Sequence, residues 1–174
     1  MTDSSGPRRS AASRRRSAAR LAAVQALYEI ELSAAPADAV VRDFVQNRMA
    51  APRGRVDEEG AGEGAIAGAD TGLFTRVVRG SLEKRRELDE MIQGALSKGW
   101  TMERLEAVLR NILRAGAFEL AAETNVPPKV AISEYVDVAH AFYSGPEPGM
   151  VNAVLDKIAH VVRPTEFDHG RSLP

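Results

Sequence analysis

The sequence contains no cysteine. That excludes a disulfide scaffold, a cysteine-ligated zinc site and a cysteine nucleophile, and it suits a reducing cytosol. Aromatic residues are scarce, at 5%, with a single tryptophan. A sandwich built from Val, Tyr and Trp is therefore disfavoured, whereas abundant alanine and leucine favour helices packed on small side chains. No apolar run approaches the roughly 18 residues of a membrane span. The first apolar stretch, Leu21 to Leu32, is interrupted by Gln25, Glu29 and Glu31, so neither a signal peptide nor a membrane segment is predicted, and a cytoplasmic location is expected. Histidine is also rare. His140, His160 and His169 lack the i, i+4 spacing of a helical metal site, and no P-loop, elbow serine or paired-carboxylate motif is present. No catalytic residue, metal or cofactor is predicted, and the chain does not read as an enzyme.

What is there suits one compact domain. At 174 residues and 44% hydrophobic, the chain is long enough to bury a core. The net charge of −1 hides an asymmetry: residues 1–20 hold Arg8, Arg9, Arg14, Arg15, Arg16 and Arg20 against Asp3 alone, a net +5, leaving −6 on the remainder. A basic arm on a mildly acidic body is a recurrent arrangement for binding polyanions. Arginine outnumbers lysine nineteen to four. The guanidinium fork grips phosphates, but a GC-rich genome yields the same bias.

Residues 1–13 offer little to bury and read as a disordered basic tail. Leu21, Val24, Tyr28 and Leu32 then recur at three- and four-residue steps, predicting a helix over about 14–33. Val40, Val41, Phe44 and Val45 mark a shorter second helix. Residues 51–70 collapse into Pro, Gly, Asp, Glu and Ala and read as a flexible loop. Its glycines lack the preceding strand that a dinucleotide fingerprint requires. Helical pattern returns over 71–98, with a break expected near the charged run Glu83–Glu87, a close at Gly99 and an N-cap at Thr101 for the next helix. Leu105, Val108, Leu109, Ile112, Leu113, Gly116, Ala117 and Leu120 form the clearest buried stripe, with Gly116 implying close approach of a neighbour. Pro127–Pro128 open a further helix over 129–143, apolar on most sides and expected to be central. A loop over 144–149 leads to a last helix stopped by Pro164, with 165–174 as a frayed tail. About seven helices joined by short links in the second half give an all-α class.

The strongest local signal is Arg14-Arg15-Arg16 with Arg20, running straight into the first helix; Arg16 and Arg20 fall one turn apart on one face. Such an arm can follow a phosphate backbone with a steep salt dependence. A solvated tail and an organelle transit peptide have the same composition. Tyr28 and Phe142 are candidate platforms for unpaired bases, although each also reads as core.

Four segments together resemble the NusB family. Ala18 to Tyr28, with the arginines before it, is similar to the family's opening helix. Ile112 to Leu120 is similar to its middle helix, Val126-Pro127-Pro128-Lys129-Val130-Ala131-Ile132-Ser133-Glu134 to its most distinctive stretch, and Val151 to Ile158 to its ending before Arg163-Pro164. Order and spacing agree over about 14–164. The resemblance implies a NusB-like helical domain over 14–164, with two perpendicular helical subdomains. It implies binding of the single-stranded boxA element of nascent RNA together with NusE, a ribosomal small-subunit protein, within an RNA polymerase antitermination complex that promotes transcription of ribosomal RNA. Carried over by position, Arg14, Arg15, Arg16 and Arg20 would contact phosphates, Tyr28 would share their surface, and Met150 and Asn152 would border the RNA.

This chain departs from the family at four places. The segment Ser144–Gly149 lacks the usual Asp, Ser and Lys, Met150 replaces an aromatic, Leu109 replaces a frequent acidic residue, and the Gly-rich loop over 51–70 is longer than in compact relatives. Two other roles suit a helical domain of this kind: a protein-only adaptor, and an RNA-holding relative of the front domain of rRNA methyltransferases.

Overall fold

A computed structural model describes residues 8–50 and 64–167 of the chain. These residues form seven α-helices and no strand: α1 (Ala11–Ser33), α2 (Ala37–Asp43), α3 (Thr71–Glu83), α4 (Arg85–Ala95), α5 (Ala107–Ala122), α6 (Pro128–Phe142) and α7 (Glu147–Val162). A π-helical turn, Phe44–Arg48, continues α2, and short 3-10 turns occupy Gly64–Ile66, Met102–Arg104 and Pro164–Glu166. Helices α1, α2 and α3 pack as one group and α4 to α7 as a second. The groups are joined where α5 lies against α1 and α3, and where α6 lies against α1.

Small residues set the closeness of this packing. Ala19, Ala22, Ala23 and Ala26 make one face of α1 fully buried. At Gly116 a Cβ would lie 2.7 Å from Leu155 Cδ1, so α7 closes onto α5 only because that position has no side chain. The same holds at Gly80, where a Cβ would fall 2.1 Å from the Phe118 ring. Around these contacts Phe44, Phe74, Leu88, Ile92, Ile112, Leu113, Leu120 and Leu155 are fully buried. Each is worth about 1.5–3 kcal/mol relative to an exposed position.

Several expectations are corrected here. Helix α1 starts at Ala11 rather than 14, because the Ser10 hydroxyl caps it by accepting from the Ser13 N–H at 3.1 Å; residues 1–7 of the expected tail lie outside the described residues. The central helix is α5, not α6: every residue from Asn111 to Leu120 is buried, whereas Val130 and Phe142 on α6 are exposed. Gly99 does adopt a left-handed φ of +92°, but in the turn after α4 has already ended at Ala95. Thr101 precedes the Met102–Arg104 turn and makes no side-chain cap, and α5 begins later, at Ala107. The loop after α6 is shorter than 144–149, since Pro148 sits inside the first turn of α7, where its missing N–H costs nothing. Of the expected frayed tail, residues 165–167 continue the 3-10 turn after α7, and the Phe167 ring stacks on His160 at 3.9 Å; residues 168–174 lie outside the described residues.

The expected loop over 51–70 is also partly fixed. Residues 51–63 lie outside the described residues, but Ile66 and Ala69 are buried beside α1. The Gly68 N–H donates to the Met49 carbonyl at 2.9 Å, and the Asp70 N–H to the Arg15 carbonyl at 3.0 Å. The Asp70 carboxylate then caps α3 by accepting from the Leu73 N–H, which satisfies one of the donors a helix start leaves open. The break between α3 and α4 falls at Lys84, inside the predicted charged run.

Candidate nucleic-acid interface

The first turns of α1 carry the arginines singled out above. Arg14, Arg15 and Arg16 are exposed. Arg14 donates to the Arg9 carbonyl, bracing the start of the arm. Arg15 Nε donates to the Gly68 carbonyl at 3.2 Å, so this side chain leans towards the segment before α3. Arg16 makes no hydrogen bond or ion pair with any described residue. Its charge is open to solvent.

Arg20 departs from the prediction. It is 2% exposed and binds Glu119 of α5 through its Nε at 3.0 Å to both carboxylate oxygens and through Nη2 at 2.5 Å. The Tyr135 hydroxyl donates to the same carboxylate at 2.8 Å, and Glu134 lies 3.4 Å from Arg20 Nη1. Burial by itself lowers the Arg20 pKa, but the hydrogen bond and charge of Glu119 outweigh it and hold the guanidinium above its ordinary value. The same burial, with Glu119 alongside, pushes the Tyr135 phenol well above its usual range. Arg20 is therefore corrected from a phosphate contact to the anchor of α1 on α5 and α6. One helical turn separates it from Arg16, yet a guanidinium 2% exposed and enclosed by carboxylates is out of reach of an RNA phosphate.

Helix α6 runs beside α1 and makes a seam along it. At one end Arg9, Arg14, Ser17, Glu134 and Asp137 surround a cleft of about 230 Å³. At the other end Val24, Tyr28, Leu32, Val108 and Phe142 line an apolar groove of about 570 Å³. In that groove Leu32 is 63% exposed and Phe142 40%, so large apolar side chains face water together. Tyr28 lies about 18 Å along α1 from Arg16 at 1.5 Å per residue. Arginines and ring thus share one helix but occupy different stations on it. The start of α7 follows α6 after a short link and carries Met150, half-buried, and Asn152, exposed.

Sequence reasoning missed Leu32 and Val108 as groove residues, because both carry the periodicity of core positions. It also missed Arg9 as a member of the seam. Leu109 is buried in the core, so its side chain offers no polar contact. Beside it the half-buried Tyr143 phenol is pushed up by burial and by its hydrogen bond to Glu106. Among the described residues no cluster of His, Cys, Asp or Glu is arranged to hold a metal, and no helix is long and apolar enough to cross a membrane.

The profile of the NusB family matches residues 17–160, which includes α1 from Ser17 onward, the central helix α5 and α6. The chain belongs to the NusB family. It is 50% identical over 167 residues to the transcription antitermination protein NusB of Rhodospirillum rubrum, covering 90% of this chain and 89% of that one. The corresponding protein of Caulobacter vibrioides is 45% identical over 148 residues, 85% of this chain and 94% of its relative. Among solved structures, T. maritima NusB superposes with a TM-score of 0.67 at 25% identity, covering 87% of this chain and 95% of that one. The fold is shared as well with a crystal structure of antitermination factors NusB and NusE in complex with dsRNA, at a TM-score of 0.67 and 22% identity, over 85% of this chain and 98% of that one. This NusB-family chain shares its all-helical fold with these solved structures.

Proposed function

We propose that this NusB-family protein is a transcription antitermination factor that binds the boxA element of nascent RNA together with NusE, and so keeps RNA polymerase transcribing ribosomal RNA operons. The observation that carries the reading is the exposed triplet Arg14, Arg15 and Arg16 on the opening helix of a family whose members are named for antitermination. A neighbour of the same fold was crystallised with NusE and RNA, which supports the same pair of partners here.

In this reading the triplet holds phosphates, and unpaired bases lie towards Tyr28, with Met150 and Asn152 at the border. Met150 covers a base by apolar contact alone, where an aromatic ring would add stacking. Binding through arginines releases counterions, so affinity falls steeply with salt, with a slope of about −0.7 per phosphate neutralised on a single strand. The apolar groove offers the protein partner a patch that water covers poorly.

The test is a titration of a short boxA-like single-stranded RNA, with its duplex as a control, at two salt concentrations, with and without NusE. Tighter binding with NusE and a marked salt slope are expected. Arg15→Ala combined with Arg16→Ala weakens RNA binding while helicity stays intact. Equal RNA binding by that double variant would overturn the reading in favour of a protein-only adaptor.

A further inference from the structure

One member of the basic arm does not face solvent alone. Arg9 Nη2 lies 3.2 Å from Asp137 and 3.4 Å from Glu134, both on α6, and its Nη1 donates to the Ser17 hydroxyl at 3.2 Å. The Ser17 hydroxyl in turn donates to Glu134 at 2.6 Å. Arg14, by bonding to the Arg9 carbonyl, holds the backbone of this residue in place.

The ion pairs of this cluster set Arg20 and Arg9 against Glu119, Glu134 and Asp137, with Arg14 lining the same cleft. Glu119 is committed inward to Arg20, while Glu134 is shared between Arg20, Arg9 and Ser17. Asp137 is half-exposed, and among the described residues its one ion-pair partner is Arg9. This carboxylate contributes nothing to the buried anchor, and its position matters only for the arm.

We infer that Asp137, with Glu134, acts as an intramolecular competitor that holds Arg9 away from a bound phosphate chain, so that α6 sets how many arginines of the arm a polyanion can engage. The inference rests on the RNA-binding reading for its natural ligand, but the competition itself concerns any phosphate chain. A phosphate approaching Arg9 must displace a carboxylate already in contact, and must then lie beside the two carboxylates it has displaced. Arg16, with no such partner among the described residues, is engaged without that cost. The arm is thus graded: Arg16 binds freely, and Arg9, ahead of the helix, is held in reserve. Affinity and salt dependence are both lower than the count of arginines implies.

Four proteins test this: wild type, Asp137→Asn, Arg9→Ala and the double variant, each titrated with a short boxA-like RNA across a salt series. Asp137→Asn changes one half-exposed oxygen to an amide and leaves the Arg20 anchor untouched. It is expected to tighten RNA binding roughly threefold, the order of a surface ion pair, and to steepen the slope of log affinity against log salt by about 0.7, one more phosphate contact. In the Arg9→Ala background the same substitution should change neither quantity. An equal gain with and without Arg9 would show a plain field effect and overturn the competition, and so would no gain at all. Titration of the same four proteins with inorganic polyphosphate separates this inference from the RNA reading. If the cycle holds for polyphosphate while wild type ignores the RNA, the RNA reading falls and the competition stands. If the cycle is absent with both ligands, the competition falls.

Discussion

The guanidinium of Arg163, one residue past the end of α7, donates from Nε to the carbonyl of Leu120 near the end of α5, at 2.8 Å. Its other nitrogens reach the carbonyls of Glu123 at 2.6 Å and Val126 at 2.5 Å. A helix C-terminus leaves carbonyls without partners, and here one buried side chain from the end of α7 supplies a donor to Leu120 in the last turn of α5 and to Glu123 and Val126 in the link that follows it. Arg163→Ala strands those acceptors in a site 6% exposed. A loss of about 2–4 kcal/mol is expected in urea unfolding, and Arg163→Lys should recover only part of it, because an ammonium cannot span three divergent carbonyls.

Arg20 and Glu119 form the most enclosed ion pair of the fold, with side chains 3% and 0% exposed. Removing one partner leaves the other charged, buried and unpaired. Glu119→Ala is expected to cost about 3–5 kcal/mol. Replacing both residues together with apolar side chains should cost less than either change alone, read as a non-additive double-mutant cycle in thermal or urea denaturation.

Glu31, near the end of α1, gathers α5 to it through Arg110, Asn111 and Arg114. Its partial burial raises its pKa, but the hydrogen bonds from Arg110 and Asn111 and the charges of Arg110 and Arg114 outweigh this and hold it below 4.5. A carboxyl whose pKa is lower in the folded state binds its proton more tightly when unfolded. The stabilisation is fully present above about pH 4.5 and is lost as pH falls through the folded-state value. Glu31→Gln should therefore lower stability at neutral pH and flatten the acid limb of a stability-against-pH curve below that point. An acid limb unchanged by the substitution would count against this role.

Gly80 lies under the ring of Phe118 with no room for a methyl group. Alanine in a helix interior normally gains about 1 kcal/mol over glycine. Overpacking against a buried aromatic costs about 1–3 kcal/mol, so Gly80→Ala is expected to be net destabilising, with the midpoint in urea moving down. Phe142→Ala makes the opposite contrast. Its ring is 40% exposed, so stability should stay within about 0.5 kcal/mol of wild type, while any partner seated in the apolar groove is lost from a pull-down.

Much of this architecture is readable from periodicity. The stripe from Leu105 to Leu120 specifies helix α5, and Pro127–Pro128 specifies the start of α6 at Pro128. Gly116 gives notice of the close approach of Leu155. What periodicity does not show is which charged residues turn inward. Arg16 and Arg20 are chemically identical and share a helix face, and they part only because Glu119, 99 positions away along the chain, sits opposite one of them. Burial of α5 over α6 was hidden for the same reason. Asn111, Arg114 and Glu119 look like a solvated face until their partners on α1, α4 and α6 are known. The groove failed in the reverse sense: Leu32 and Phe142 carry the pattern of a core, yet no described element covers them.

The bond between Gly68 and Met49 has an engineering consequence. These two backbone groups stand at the margins of a stretch of the chain whose length they do not sense, and closure entropy grows only by about 0.6 kcal/mol for each doubling of such a stretch. A reporter peptide or a second small domain grafted between residues 51 and 63 should leave the helical body as it is. Because Arg15 bonds to the Gly68 carbonyl, such a graft would stand beside the basic arm, and its bulk would gauge how much room a ligand of the arginines needs.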